Sequence, residues 1–212
     1  MGRARHLVDL SRLDFERLEN PLDPRRILLI GGNFSREKAL EVEGRISRLE
    51  QEAGDPIVLE IDSSRNESQE GSRMAADRLH EVVGSSRVGI LGLVTGSCRL
   101  SAMYVLQACK YRFAVRSAVL QFHDLRRIIK LDIFRGDDLE RILGEIRELL
   151  IMTHWAVESE KMEVAERYQR RFEHLPVGLV LSLMEDEVEF TAAETLRLGI
   201  IDLIVEAGPS SR

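Results

Sequence analysis

Cysteine and histidine are the side chains most often recruited for redox, metal and nucleophilic chemistry, and this sequence spaces them poorly for it. Cys98 and Cys109 are the only cysteines. If both sit on one helix they are separated by roughly 16 Å along its axis, beyond disulfide reach. The five histidines, His6, His80, His123, His154 and His174, are scattered. No Cys-x-x-Cys or His-x-x-x-His spacing is present, so neither a metal nor another cofactor is expected. Thirty-six acidic against thirty basic residues give a formal charge of -6. No overall positive field exists to gather nucleic acid or anionic lipid, so proteins or peptides are the expected partners. Membrane insertion and secretion are not expected either: no apolar run reaches membrane length, and the N-terminal Arg3 to Arg12 stretch is too interrupted for a signal peptide. A cytoplasmic location is the default expectation.

The elements that must position any site read as an α/β chain of strand-plus-helix units. With 212 residues and 44% hydrophobic content, the chain suits one domain with a peripheral arm. The arm is residues 1–24, in which Leu10, Leu13, Phe15 and Leu18 give a short amphipathic helix ended by Asn20-Pro21-Leu22-Asp23-Pro24. The domain spans 25–207 and a tail 208–212. Ile27 to Ile30 is a buried strand followed by Gly31-Gly32, and Ser35 caps a helix running to Leu49. A second strand, Ile57 to Ile61, leads through a polar turn and Gly71 into a second helix. A third, Val88 to Val94, runs through Thr95-Gly96-Ser97 into a helix from about Cys98 to Cys109. Ser97 at that helix entry reads as an N-cap. Two short strands follow, Phe113 to Val115 and Ala118 to Phe122, ending at His123.

A helix of about ten turns is expected over 137–172. Leu139, Ile142, Leu143, Ile146, Leu149, Leu150, Met152 and Trp155 give it an apolar stripe wider than a monomer's surface helix needs. Pro176 stops it, an apolar run follows from Val177 to Leu183, and Thr191 caps a helix from Ala192 to Leu198.

The ordered segments Arg26-Ile-Leu-Leu-Ile-Gly-Gly32, Pro56 to Ser64 with Gly71, Thr95-Gly96 leading into Val105-Leu-Gln-Ala108, Ala118-Val-Leu-Gln-Phe-His123 and Thr191 to Asp202 carry a resemblance. Together they resemble the proteolytic subunit of the Clp protease (ClpP), within the crotonase-like superfamily, over roughly Pro24 to Val205. The resemblance implies a spiral of β-β-α units and a serine, histidine and aspartate triad. It further implies ring-shaped oligomers stacked through a protruding handle helix, here 137–172. Peptides or unfolded proteins would be the substrates of an active member, with a Clp ATPase or a paralogous subunit as further partners.

Set against the family's pattern, the catalytic positions are altered. The nucleophile lies four residues after a glycine, which is Leu100 when counted from Gly96 and again when counted back from Val105-Leu106. Ser101 is one residue late, about 100° around a helix. His123 matches the histidine, and Glu187, beside Asp186, falls on the acid, where a glutamate can still orient an imidazole. A strand-end histidine kept by inheritance and a solvated acidic turn over Glu185 to Glu189 are the blander readings. Arg65 and Asn66 replace the glycine pair whose N–H groups serve the oxyanion. Val58 and Glu60 replace tyrosines of the ATPase-receiving surface, and a charge there disfavours that contact.

Three functions follow. The first is a ring subunit whose peptidase activity is impaired or lost. The second is an active serine endopeptidase using Ser101, His123 and Glu187. The third is a crotonase-like acyl-CoA-binding enzyme.

Overall fold

The computed structural model describes residues 24–32, 34–52, 55–63, 69–122, 139–172 and 174–205. Three aliphatic runs become neighbouring parallel strands: β1 (Ile27–Gly32), β2 (Ile57–Ser63) and β3 (Ile90–Val94). Between them run α1 (Arg36–Glu52) and α2 (Gln69–Ser85), the crossovers that parallel pairing demands. Each helix buries one stripe: Ala39, Val42, Ile46 and Leu49 on α1, and Ala75, Ala76, Leu79 and Val83 on α2. These pack on the inward side chains of the sheet, among them Leu28, Ile30, Leu59, Ile61, Ile90 and Val94, all essentially inaccessible to water.

After β3 the chain departs from the expected helix start. Ser97–Arg99 forms a short strand, β4, and α3 runs over Leu100–Ala108. β4 pairs in parallel with β6 (Val119–Gln121), which pairs antiparallel with β7 (Glu189–Thr191), making a second sheet ordered β4-β6-β7. Ser97 is therefore a strand residue and not a helix cap. The N-cap position is Arg99, whose side chain makes no capping bond. Cys98 and Cys109 consequently do not share a helix; both are buried and neither is in a disulfide, with Cys98 in β4 and Cys109 at the end of α3. Burial pushes the Cys109 thiol up to about 12, which makes it a packing group and not a nucleophile.

β5 (Tyr111–Val115) returns to the large sheet beside β3, and β8 (Leu203–Val205) closes it in the order β1-β2-β3-β5-β8. Gly92 on β3 lets α3 settle close: a Cβ there would meet Leu106 Cδ1 at 2.5 Å and Cys109 Sγ at 3.0 Å. Thr191 and Glu194 form a reciprocal capping box at the start of α6 (Ala192–Arg197).

The long helix α4 (Leu139–Arg171) spans about 50 Å. Its two halves differ. Val164, Ala165 and Tyr168 are buried in the core, where Tyr168 stacks on Phe172 and meets Phe122 edge-on at 5.0 Å. Leu143, Leu150, Ile151, Met152 and Trp155 are exposed. The apolar run after Pro176 is helix α5 (Val177–Glu185), seated on α4 through Val180 and Met184. Among the described residues no helix is long and apolar enough to cross a membrane.

Candidate functional site

The sheet order β4-β6-β7 gathers three segments far apart in sequence. Arg99, Gln121 and Glu189 lie in one register row across it. One step past Arg99 is Leu100, and two before Glu189 is Glu187. These two candidate positions thus issue from one end of the small sheet.

Several contacts hold that end in place. Ser97 N–H donates to Asp62 Oδ1 at 2.9 Å, and Arg99 N–H donates to Ser63 Oγ at 2.9 Å. The Ser97 hydroxyl donates to the Ser63 carbonyl, so it is engaged by backbone. Gly96 carries no side chain because the Asp62 carboxylate occupies the space a Cβ would take. These bonds explain why Ser97–Arg99 stays extended: its N–H groups are committed to β2 before a helical turn could form.

Arg99 dominates the row. Its side chain is 8% exposed, and Nη1 donates to Gln121 Oε1 at 2.9 Å and to Glu189 Oε1 at 2.8 Å. Gln121 Nε2 in turn donates to the Glu187 carbonyl at 2.6 Å. One guanidinium therefore binds β4 to β6 and β7, while the adjoining amide holds the turn that carries Glu187. That turn is tight, with Glu187 in the left-handed region at φ 48°. Arg99 Nε is buried without a hydrogen-bond partner among the described residues. A guanidinium stays protonated and donates only, so it serves as neither nucleophile nor general base.

Leu100 opens α3, and Ser101 is its second residue, half-buried. His123, Arg65 and Asn66 lie outside the described residues, as does the arm up to residue 23. Sequence reasoning missed Arg99, Gln121 and Glu189. The available signal was an arginine placed immediately before an otherwise apolar helix; Glu189 was hidden inside what read as a solvated acidic turn.

On the opposite face of the large sheet, Val58 is buried and Glu60 half-buried, with the Thr95 hydroxyl donating to Glu60 Oε1 at 3.0 Å. A separate cleft of about 200 Å³ lies between α1 and α2, lined by Arg36, Leu40, Glu43, Met74 and Arg78. It shares no residue with the β4-β6-β7 row.

Among solved structures, ClpP1 from Listeria monocytogenes superposes with a TM-score of 0.66 at 16% identity, covering 90% of this chain and 97% of that one. A point mutant of the same Listeria protein gives a TM-score of 0.61 at 18% identity, covering 92% and 96%. The fold is ClpP-like. No family model and no curated protein matches the chain by sequence. The likeness matches the expectation of a ClpP-like α/β fold. At this identity the likeness describes backbone architecture, and chemistry must be argued from the side chains.

Proposed function

We propose that this chain is a ClpP-like subunit with little or no peptidase activity, serving as a component of an oligomeric ring, alone or beside an active paralogous subunit. The observation that carries the reading is the Arg99 clasp. Immediately before the position where the family resemblance puts the nucleophile, a buried guanidinium is bound to Gln121 and Glu189. A serine hydrolase needs a hydroxyl aimed at a histidine there, with unencumbered N–H donors for the oxyanion. Here Leu100 takes the nucleophile position, and the strand leading to it is committed to structural bonds. Leu100, Arg65 and Asn66 point the same way.

Assembly is supported by the exposed half of α4. Trp155 is 70% and Met152 71% exposed, on the helix that the resemblance makes the ring-stacking handle. A cluster of that size on a lone surface helix is costly to leave in water.

The decisive experiment treats the purified chain with a fluorophosphonate probe and a short fluorogenic peptide. Absence of labelling and hydrolysis is expected. Labelling lost in Ser101→Ala, with hydrolysis lost in His123→Ala, would establish instead an active endopeptidase with Ser101, His123 and Glu187 as its triad.

A further inference from the structure

The helices α2, α3 and α4 meet at a polar junction with the Tyr104 ring at its centre. His80 on α2 stacks on Tyr104 of α3, with ring centroids 4.3 Å apart and planes 18° from parallel. His80 Nδ1 lies 3.0 Å from the Tyr104 carbonyl, which can only accept. Nδ1 therefore carries the hydrogen of the neutral ring, and Nε2 is the atom that takes up a second proton. From the α4 side, Arg167 Nη1 donates to the Tyr104 hydroxyl and to Asp77 Oδ1 of α2, the latter at 3.3 Å. Its guanidinium carbon is 5.8 Å from the centroid of the same ring. Nη2 donates to Glu163 Oε1 at 2.5 Å, four residues earlier on α4.

Arg167 thus has two sets of partners. Tyr104 and Asp77 tie α4 to its neighbours, whereas Glu163 lies on Arg167's own helix and ties it to nothing else. A charged His80 competes for the first set: an imidazolium stacked on Tyr104 draws on the same ring, and Asp77 precedes it by one helical turn. The groups that face His80 are Asp77 and Glu81 on α2, Tyr104 on α3 and Arg167 on α4, with Glu163 bound to Arg167. Burial lowers the His80 pKa most, the bond to the Tyr104 carbonyl opposes this, Arg167 lowers it further, and Asp77 and Glu81 raise it. A neutral ring accordingly suits the bridged arrangement, and a charged ring suits one from which Arg167 has withdrawn.

We propose that His80 is a pH-sensitive latch on α4: proton uptake at Nε2 displaces Arg167 from Tyr104 and Asp77 and leaves it on Glu163. Acid then cuts the polar tie between α4 and the α2–α3 pair, while Val164, Ala165 and Tyr168 keep the helix seated in the core. The window lies below about 6.5, the ordinary histidine value, and above about 4, where Asp77 and Glu163 would lose their charge. The helices concerned are the one that begins at Leu100 and the one that carries the exposed Leu143 to Trp155 stripe. The latch does not depend on whether the chain hydrolyses peptides.

Two measurements on the full chain test it. The Arg167 and Asp77 side chains are 30% and 35% exposed, so Arg167→Gln and Asp77→Asn are expected to fold. In the first, proton NMR follows the imidazole Cε1–H of His80, assigned by its absence in His80→Phe. Its titration midpoint is expected to move up in Arg167→Gln and down in Asp77→Asn; a midpoint that stays in place or moves the other way in either variant refutes the competition. In the second, Arg167→Gln is expected to lower the urea midpoint by about 0.5 M at about pH 7.5 and by less than half as much at about pH 5. Because Arg167 and the His80 proton disfavour each other, the loss must shrink as His80 charges. In a His80→Phe background, which keeps a ring on Tyr104 and cannot charge, the loss is expected to be the same at both pH values. A loss in the original chain that is equal at the two pH values, or one that shrinks as much in the His80→Phe background, overturns the proposal.

Discussion

Asp202 and Arg112 clamp β5 to the segment entering β8, and removing the carboxylate should be among the more damaging single changes in the molecule. Asp202 Oδ2 accepts from Arg112 N–H at 2.8 Å and from Nε at 3.1 Å, while Oδ1 accepts from Nη2 at 2.6 Å. In return Asp202 N–H donates to the Arg112 carbonyl at 2.8 Å. The Arg112 side chain is 6% and that of Asp202 23% exposed. Gln107 Oε1 and the Phe172 ring complete the guanidinium's surroundings. Asp202→Ala leaves that buried cation with one neutral acceptor, and breaking such a pair from one side costs about 3–5 kcal/mol. Because Asp202 is partly wet, the lower end, about 3 kcal/mol, is expected. With a urea m-value of about 2 kcal/mol/M, the midpoint should fall by about 1.5 M at fixed protein concentration. Replacing both partners by apolar groups, as in Arg112→Met/Asp202→Leu, should cost far less than the single change, since no charge is then stranded. A shift under about 0.5 M for Asp202→Ala, or a double variant as unstable as the single, would refute the reasoning.

Gly92→Ala forces a methyl against Leu106 and Cys109, with an expected loss of about 1–3 kcal/mol in urea titrations; adding Leu106→Ala should be less than additive. His80 stacks on Tyr104 at 4.3 Å and faces Arg167, Asp77 and Glu81, with burial first and Arg167 next holding its pKa below the ordinary histidine value. The unfolded chain therefore takes up the proton first, and stability should decline as pH falls below about 6.5 until the folded pKa is passed. His80→Phe, which keeps the stack and cannot protonate, should flatten the stability profile between about pH 7 and 5. Trp155→Lys should lower the mass of the assembly in analytical ultracentrifugation at micromolar concentration and leave the monomer's circular dichroism unchanged; an unaltered mass would remove α4 from the interface.

Much of the fold was legible because its signals are local. Strand-forming aliphatic runs ending in glycine, helical stripes at a 3.6-residue period and the Thr191-x-x-Glu194 box act within a few residues of themselves. Their positions follow from periodicity and capping. The start of α3 was misread for the opposite reason. Gly96-Ser97 looks like a helix entry until Asp62, Ser63 and the distant β6 claim the backbone of Ser97–Arg99. The candidate site divides the same way. That Leu100 stands four residues after Gly96, the spacing at which the resemblance puts a nucleophile, could be counted along the chain. That Arg99 is buried and shared between Gln121 and Glu189 could not, because its partners lie 22 and 90 residues away.

By itself, the order of residues determined the repeating strand-helix units and the long amphipathic helix, since each depends on near neighbours and on counting. Tertiary structure alone decided which strands stand side by side, which half of α4 meets water, and that a buried arginine on the edge strand β4 ties together the small sheet. Those outcomes rest on the burial of charge and apolar area between segments that only folding brings together.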